Sequence, residues 1–93
     1  MAMKIDFDPN KDQRNIAERD LSFEQVVDFE FESARYLIDD RQDYGETRIR
    51  ALGLLDGRVY ALVFTEIAGG IRVISFRKAN KREVVEYEKT SSV

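Results

Sequence analysis

Cysteine and histidine are both absent from the 93 residues. Without cysteine there is no disulfide, no thiolate nucleophile and no cysteine-held metal, and the chain suits a reducing compartment. Without histidine the commonest metal ligand and the usual general base near neutral pH are missing. No apolar run approaches the roughly 20 residues that cross a bilayer, and Met1 to Asp8 lacks the apolar stretch of a signal peptide. We therefore expect a cytoplasmic protein. A Walker loop, a dinucleotide fingerprint, a zinc spacing and a nucleophile elbow are missing as well, so no cofactor or metal is expected. The length allows one domain, residues 1–93, and not two. A chain this short buries only roughly 60–65% of its unfolded surface, so a partner protein could add useful burial.

What is present is enough for a core. Hydrophobic residues make up 43% and charged residues 35%, which excludes wholesale disorder. The net charge of −3 conceals an asymmetry, because residues 1–46 carry −7 and residues 47–93 carry +4. Arg72, Arg77, Lys78, Lys81 and Arg82 form a basic stretch with no acid among them. The acidic whole argues against indiscriminate nucleic-acid binding, but a local basic cluster allows one phosphate-directed face.

The patterning predicts elements in the order β-α-α-β-β-β-β-α. Lys4–Phe7 alternates as a strand, and Asp8-Pro9 is an N-cap with proline in the first turn of a helix over Pro9–Arg19. Asp20 just past it tolerates a left-handed conformation. Ser22 and Gln25 have the capping-box spacing before a short helix over Phe23–Phe29. Strands are expected over Arg35–Ile38, Arg48–Leu55, Arg58–Glu66 and Ile71–Phe76, with a loop at Asp39–Glu46. Asp56-Gly57 is the strongest hairpin signal, and Gly69-Gly70 makes another turn. In the last strand Ile71, Val73 and Ser75 should face one side and Arg72, Ile74 and Phe76 the other. A final helix runs from Asn80, which can cap it together with Glu83, to Lys89, before a frayed tail at Thr90–Val93. The fold class is α+β: a four- to five-stranded, mostly antiparallel sheet packed by N-terminal helices and a C-terminal helix.

Three constellations could carry chemistry. The basic cluster places Lys81 and Arg82 in the first turn of the last helix, where cations oppose the helix dipole. That suggests an anion-facing role, and the plainer alternative is a solvated charged face. Glu66 lies across the Gly69-Gly70 turn from Arg72, either as a carboxylate able to take a proton or as an ordinary cross-strand ion pair. The acidic loop Asp39–Glu46 lacks the EF-hand spacing and is expected to be solvated rather than cation-binding.

Together these segments resemble the BrnT family of bacterial toxins, the ribonuclease halves of type II toxin–antitoxin pairs. The resemblance rests on Phe7-Asp8-Pro9-Asn10-Lys11, Asn15, Leu21-Ser22-Phe23, Asp43-Tyr44-Gly45-Glu46-Thr47-Arg48 and Leu52-Gly53. It continues through Leu62-Val63-Phe64-Thr65, the run from Ile71 to Asn80, Arg82-Glu83 and Tyr87-Glu88. It implies a RelE-like fold and an endoribonuclease that inhibits translation and growth. It also implies a neighbouring antitoxin, usually with a ribbon-helix-helix domain, through which the complex binds its own operator DNA. Many members carry Lys-His-Gly where this chain has Glu18-Arg19-Asp20, so Arg19 keeps a cation there but loses an imidazole.

RNA can be cut without metal when its 2′-hydroxyl attacks the adjacent phosphate, giving a 2′,3′-cyclic phosphate. On that chemistry Arg72 and Arg77 are expected to bind the phosphate and its transition-state charge. They lie five residues apart, an odd offset that puts them on opposite faces of a regular strand. They converge only if the chain leaves strand geometry before Arg77. Lys78, Lys81, Arg82 and Arg19 would hold the RNA backbone. Glu66 is the expected base, and Tyr87 is an acid, a stacking platform or a buried core aromatic. Two further readings stay open: a catalytically degenerate toxin, and a non-enzymatic interaction module.

Overall fold

In a computed structural model, which describes residues 3–40 and 45–91, the Asp56-Gly57 turn sets the frame. Asp56 has φ 50° and Gly57 φ 76°, the pair of positive values that a primed two-residue turn needs. The turn pins β3 (Arg48–Leu55) to β4 (Arg58–Ile67), with Leu55 opposite Arg58 and Ile49 opposite Phe64. Gly69, at φ 79°, turns the chain into β5 (Gly70–Lys78). On the far side of β3 lies β2 (Arg35–Asp39), and β1 (Lys4–Asp6) pairs with the outer edge of β5. The five strands are ordered β1-β5-β4-β3-β2, antiparallel except for the β1–β5 pair. The expected α+β class and mostly antiparallel sheet are therefore observed. Asp39 ends β2, and half of the expected Asp39–Glu46 loop, residues 41–44, lies outside the described residues.

β5 departs from its expected form in two ways. It extends through Arg77 and Lys78, because the long β4 offers Ala61 and Tyr60 as partners. Its register also shifts: Val63 pairs with Ser75 but Phe64 pairs with Val73, leaving Ile74 as the extra residue of a bulge. A bulge reverses the alternation beyond it. Hence Ile71, Val73 and Phe76 share the buried face, while Arg72, Ser75 and Arg77 share the other. This corrects the simple alternation that would have put Ser75 with Ile71 and Phe76 with Arg72.

The buried face is sealed by the segment after α1 (Pro9–Arg19), namely Leu21 and a 3₁₀ helix over Phe23–Asp28. Leu21, Phe23, Val26 and Phe29 pack on Ala51, Leu62, Phe64, Ile71, Val73 and Phe76. The Phe29 ring lies edge-on to Phe31 at 5.0 Å and to Phe76 at 6.3 Å. It lies so close to β3 that a Cβ at Gly53 would stand 2.5 Å from Phe29 Cζ. The Ser22–Gln25 capping box is formed, and the six residues Phe23–Asp28 wind as a 3₁₀ rather than an α-helix.

α1 is held differently. It is almost wholly polar and solvated, and two side chains tether it. Asp12, buried, accepts from the Phe23 N–H at 2.7 Å and from the Ser22 hydroxyl at 3.2 Å. Asn15 donates to the carbonyls of Leu21 at 2.9 Å and Phe76 at 3.0 Å. Its ends are those anticipated: Asp8 accepts from Asn10 N–H, and Asp20 sits left-handed at φ 54°. α2 (Lys81–Ser91) crosses the opposite face of the sheet, with Tyr87 buried beneath it. No helix among the described residues is long and apolar enough to cross a membrane.

Candidate functional site

Alternation along a strand gives the sheet a second face, and on it the arginines collect. Arg48 and Arg50 of β3 point away from the core that Ile49 and Ala51 join. Arg77 of β5 and Arg35 of β2 point the same way, opposite Ala61 and Leu52. α2 covers part of this face and leaves a cleft of about 820 Å³, whose lining includes all four arginines, Asp39, Ser75, Glu83, Glu86 and Tyr87.

Glu83 organises the cleft. Its side chain is only 8% exposed. Its carboxylate accepts from Arg77 Nη1 at 2.8 Å and Nη2 at 3.0 Å, a two-pronged pairing. Arg50 Nη2 stands 3.8 Å from the same carboxylate. Oε1 also accepts the Asn80 N–H at 2.9 Å, while Asn80 Oδ1 accepts the Glu83 N–H at 2.9 Å. This is the reciprocal cap expected at the start of α2. One carboxylate therefore ties the helix start to arginines from two strands. The Arg77 hydrogen bonds, with the Asn80 N–H and the charges of Arg77 and Arg50, hold its carboxyl below the usual carboxylate range, against burial. Arg77 and Arg50 keep about a third of their side chains exposed, at 33% and 37%.

Apart from Tyr87, the other sequence-predicted residues do not meet here. The bulge turns Arg72 to the same face as Arg77 without the chain leaving strand geometry. Their partners Thr65 and Ala61 are nonetheless four residues apart on β4, about 13 Å of strand. Arg72 instead pairs with Asp6, Nε to Oδ2 at 3.0 Å, and that hydrogen bond lowers the Asp6 carboxyl. Glu66 sits opposite Ile71 and therefore on the core face, so the expected cross-turn pairing with Arg72 is replaced by the one with Asp6. Tyr87 lies in the cleft wall, its ring buried and its hydroxyl donating to the Ser33 carbonyl at 3.4 Å. Lys78, Lys81, Arg82 and Arg19 are exposed and outside the cleft lining.

A family model described as the ribonuclease toxin BrnT of type II toxin–antitoxin systems matches residues 7–83. The chain belongs to the BrnT toxin family. No curated protein and no solved structure matches it. The span shared with the BrnT family contains every strand residue of the cleft and ends on Glu83, while Glu86 and Tyr87 lie beyond it. A family of ribonuclease toxins implies RNA as substrate and an antitoxin as partner.

The chemistry of the cleft suits that membership. Several guanidinium groups gather on one face of the sheet, and the forked donors of a guanidinium match phosphate oxygens. Among the described residues no three acids cluster as a metal site. Reading the sequence by clusters of neighbouring bases missed Arg35, Arg48 and Arg50. The signal was the Arg48-Ile49-Arg50-Ala51 alternation, which puts two arginines on one face of a strand whose other face is apolar.

Proposed function

We propose that this chain is the endoribonuclease of a type II toxin–antitoxin pair and cuts RNA without a metal ion in the cleft beneath α2. The observation that carries this reading is the meeting of Arg35, Arg48, Arg50 and Arg77 in one recess of a BrnT-family chain. The RNA's own 2′-hydroxyl attacks the adjacent phosphorus. The 2′-O–P bond forms, the P–O5′ bond breaks, and the products carry a 2′,3′-cyclic phosphate and a 5′-hydroxyl. Arg77 and Arg50 stabilise the charge on the phosphorane, pre-aimed by Glu83. Glu66 lies on the other face, so the base is Glu86, the exposed carboxylate of the lining beside the buried Asp39 and Glu83. The Tyr87 phenol returns a proton to O5′. Arg72, 52% exposed, and Lys78, Lys81, Arg82 and Arg19 contact phosphates outside the cleft.

On this reading residues 1–93 act as one cytoplasmic, RelE-like toxin domain. The domain inhibits translation and growth, and a ribbon-helix-helix antitoxin neutralises it and brings the complex to operator DNA. The mostly antiparallel sheet with helical segments on both faces supports the fold assignment. The test is incubation of the purified chain with single-stranded RNA in excess chelator. Shortened RNA with 2′,3′-cyclic phosphate ends is expected. Intact RNA, with antitoxin binding retained, would favour the degenerate toxin, a reading that the double engagement of Arg77 by Glu83 also supports.

A further inference from the structure

Among the described residues β2 is an outer strand of the sheet, with β3 on one side and no strand on the other. A bare edge offers every second N–H and C=O to a strand from another chain. The opposite edge is protected in the usual manner: β1 has three residues, two of them the charged Lys4 and Asp6. The middle of β2 has no such protection, for Tyr36, Leu37 and Ile38 are 48%, 61% and 56% exposed.

The two faces of this edge differ in chemistry. Tyr36 and Ile38, opposite Ala51 and Ile49, fall on the core face. There a groove of about 430 Å³ opens between Phe31, Ile49, Phe64 and Ile71, with Glu66 as the charged residue of its lining. Arg35 and Leu37, opposite Leu52 and Arg50, fall on the cleft face, where the lining is rich in arginine. A segment laid along β2 would thus meet an apolar groove with one set of alternate side chains and guanidinium groups with the other. A helix could fill the groove but could not reach both faces; an extended strand can, because its side chains alternate with the same period.

We propose that the antitoxin adds an extended segment to the free edge of β2, alternating apolar side chains, which enter the groove, with acidic ones, which meet Arg35 and Arg50. The proposal rests on the toxin–antitoxin reading above. Because β2 is also a wall of the cleft, the added strand closes the cleft on that side and occupies its arginines. Docking and neutralisation are then a single event, and the acidic residues compete with RNA for the same guanidinium groups.

The test uses the toxin with its full-length antitoxin. Hydrogen exchange should slow at least about tenfold at the outward-facing amides among residues 36–38 when the complex forms, as new ladder hydrogen bonds protect them. Ile38→Glu, which puts a charge into the groove, should weaken antitoxin binding about 10²-fold. It should leave thermal unfolding and RNA cleavage by the free toxin within about twofold of wild type, since Ile38 faces away from the cleft. Tight binding without protection at residues 36–38, or unchanged affinity of a folded Ile38→Glu protein, overturns the proposal. A toxin dimer lost on Ile38→Glu, in place of antitoxin protection, also overturns it and gives the edge to a second copy. Failure to form any complex with the antitoxin overturns it as well. RNA cleavage measured in the same preparations shows separately whether the ribonuclease reading stands.

Discussion

The two faces of the sheet are made by the same three central strands, yet one is dry and the other charged. On the core face Phe29, Phe64 and Phe76 interlock, and Gly53 gives way to a ring. On the cleft face Arg48, Arg50 and Arg77 surround the buried Glu83 carboxylate or line the recess beside it. Neighbouring residues on a strand belong to opposite chemistries, so a one-residue slip would exchange them. The bulge at Ile74 is a controlled slip of this kind. It brings Phe76 into the core and turns Ser75 and Arg77 to the cleft face.

The largest effect should come from damaging the dry face. Phe29→Ala leaves a cavity among Phe31, Phe76 and the sheet, and should cost about 3–5 kcal/mol in denaturant unfolding. Gly53→Val should approach this, because its side chain must displace the Phe29 ring. Gly57→Val acts through the backbone alone. It forces a β-branched residue to φ 76° and should cost about 1–3 kcal/mol, with cleavage by the folded fraction unchanged. If thermal unfolding is unaffected by Gly57→Val, the β3–β4 register is wrong.

The charged face responds to pH, which the dry face does not. Arg77 and its companions depress the Glu83 carboxyl from its ordinary value near 4.5. A depressed carboxyl stabilises the fold above its unfolded pKa, and that stability is lost as pH falls through the folded value. Wild-type stability should therefore decline below about pH 4.5 more steeply than that of Glu83→Gln, whose side chain does not titrate. At pH 7 Glu83→Gln should be the less stable protein, since it removes the carboxylate that Arg77 and Arg50 share. Parallel decline of the two proteins in urea titrations from pH 7 to 3 would separate Glu83 from the acid response.

The smallest effects belong to the outlying cations. Arg72→Ala should change cleavage by less than about fivefold, because Arg72 is engaged with Asp6 on the surface. Lys81→Ala should weaken RNA binding modestly and lower its salt slope by about one charge. A large loss of cleavage in Arg72→Ala, with the fold intact, would move the site along β5 towards β1.

Much of the fold was legible because its signals are local. Asp8-Pro9, the Ser22–Gln25 box, Asp56-Gly57 and the Asn80–Glu83 cap each act over a few residues, and each is formed. The bulge was not legible, because Ile74 is apolar and nothing in its neighbours marks the extra residue. The site suffered from the same blindness. Arg72, Arg77, Lys78, Lys81 and Arg82 are close in sequence, but strand alternation and the helix start scatter them. Arg35, Arg50 and Arg77 come from three strands and meet only through register, and Glu83 was legible as a cap but not as the anchor for Arg77. Membership of the BrnT family was readable from motifs spread along the chain.

The central claim is that the cleft face, and not the basic cluster, cuts RNA. It is tested most directly by single-turnover cleavage of one RNA by wild type, Arg50→Ala, Arg77→Ala and Arg72→Ala, each with thermal unfolding and antitoxin binding measured alongside. The account predicts losses of about 10²-fold or more for Arg50→Ala and Arg77→Ala and near-wild-type rates for Arg72→Ala. Full cleavage by folded Arg50→Ala and Arg77→Ala proteins would contradict it.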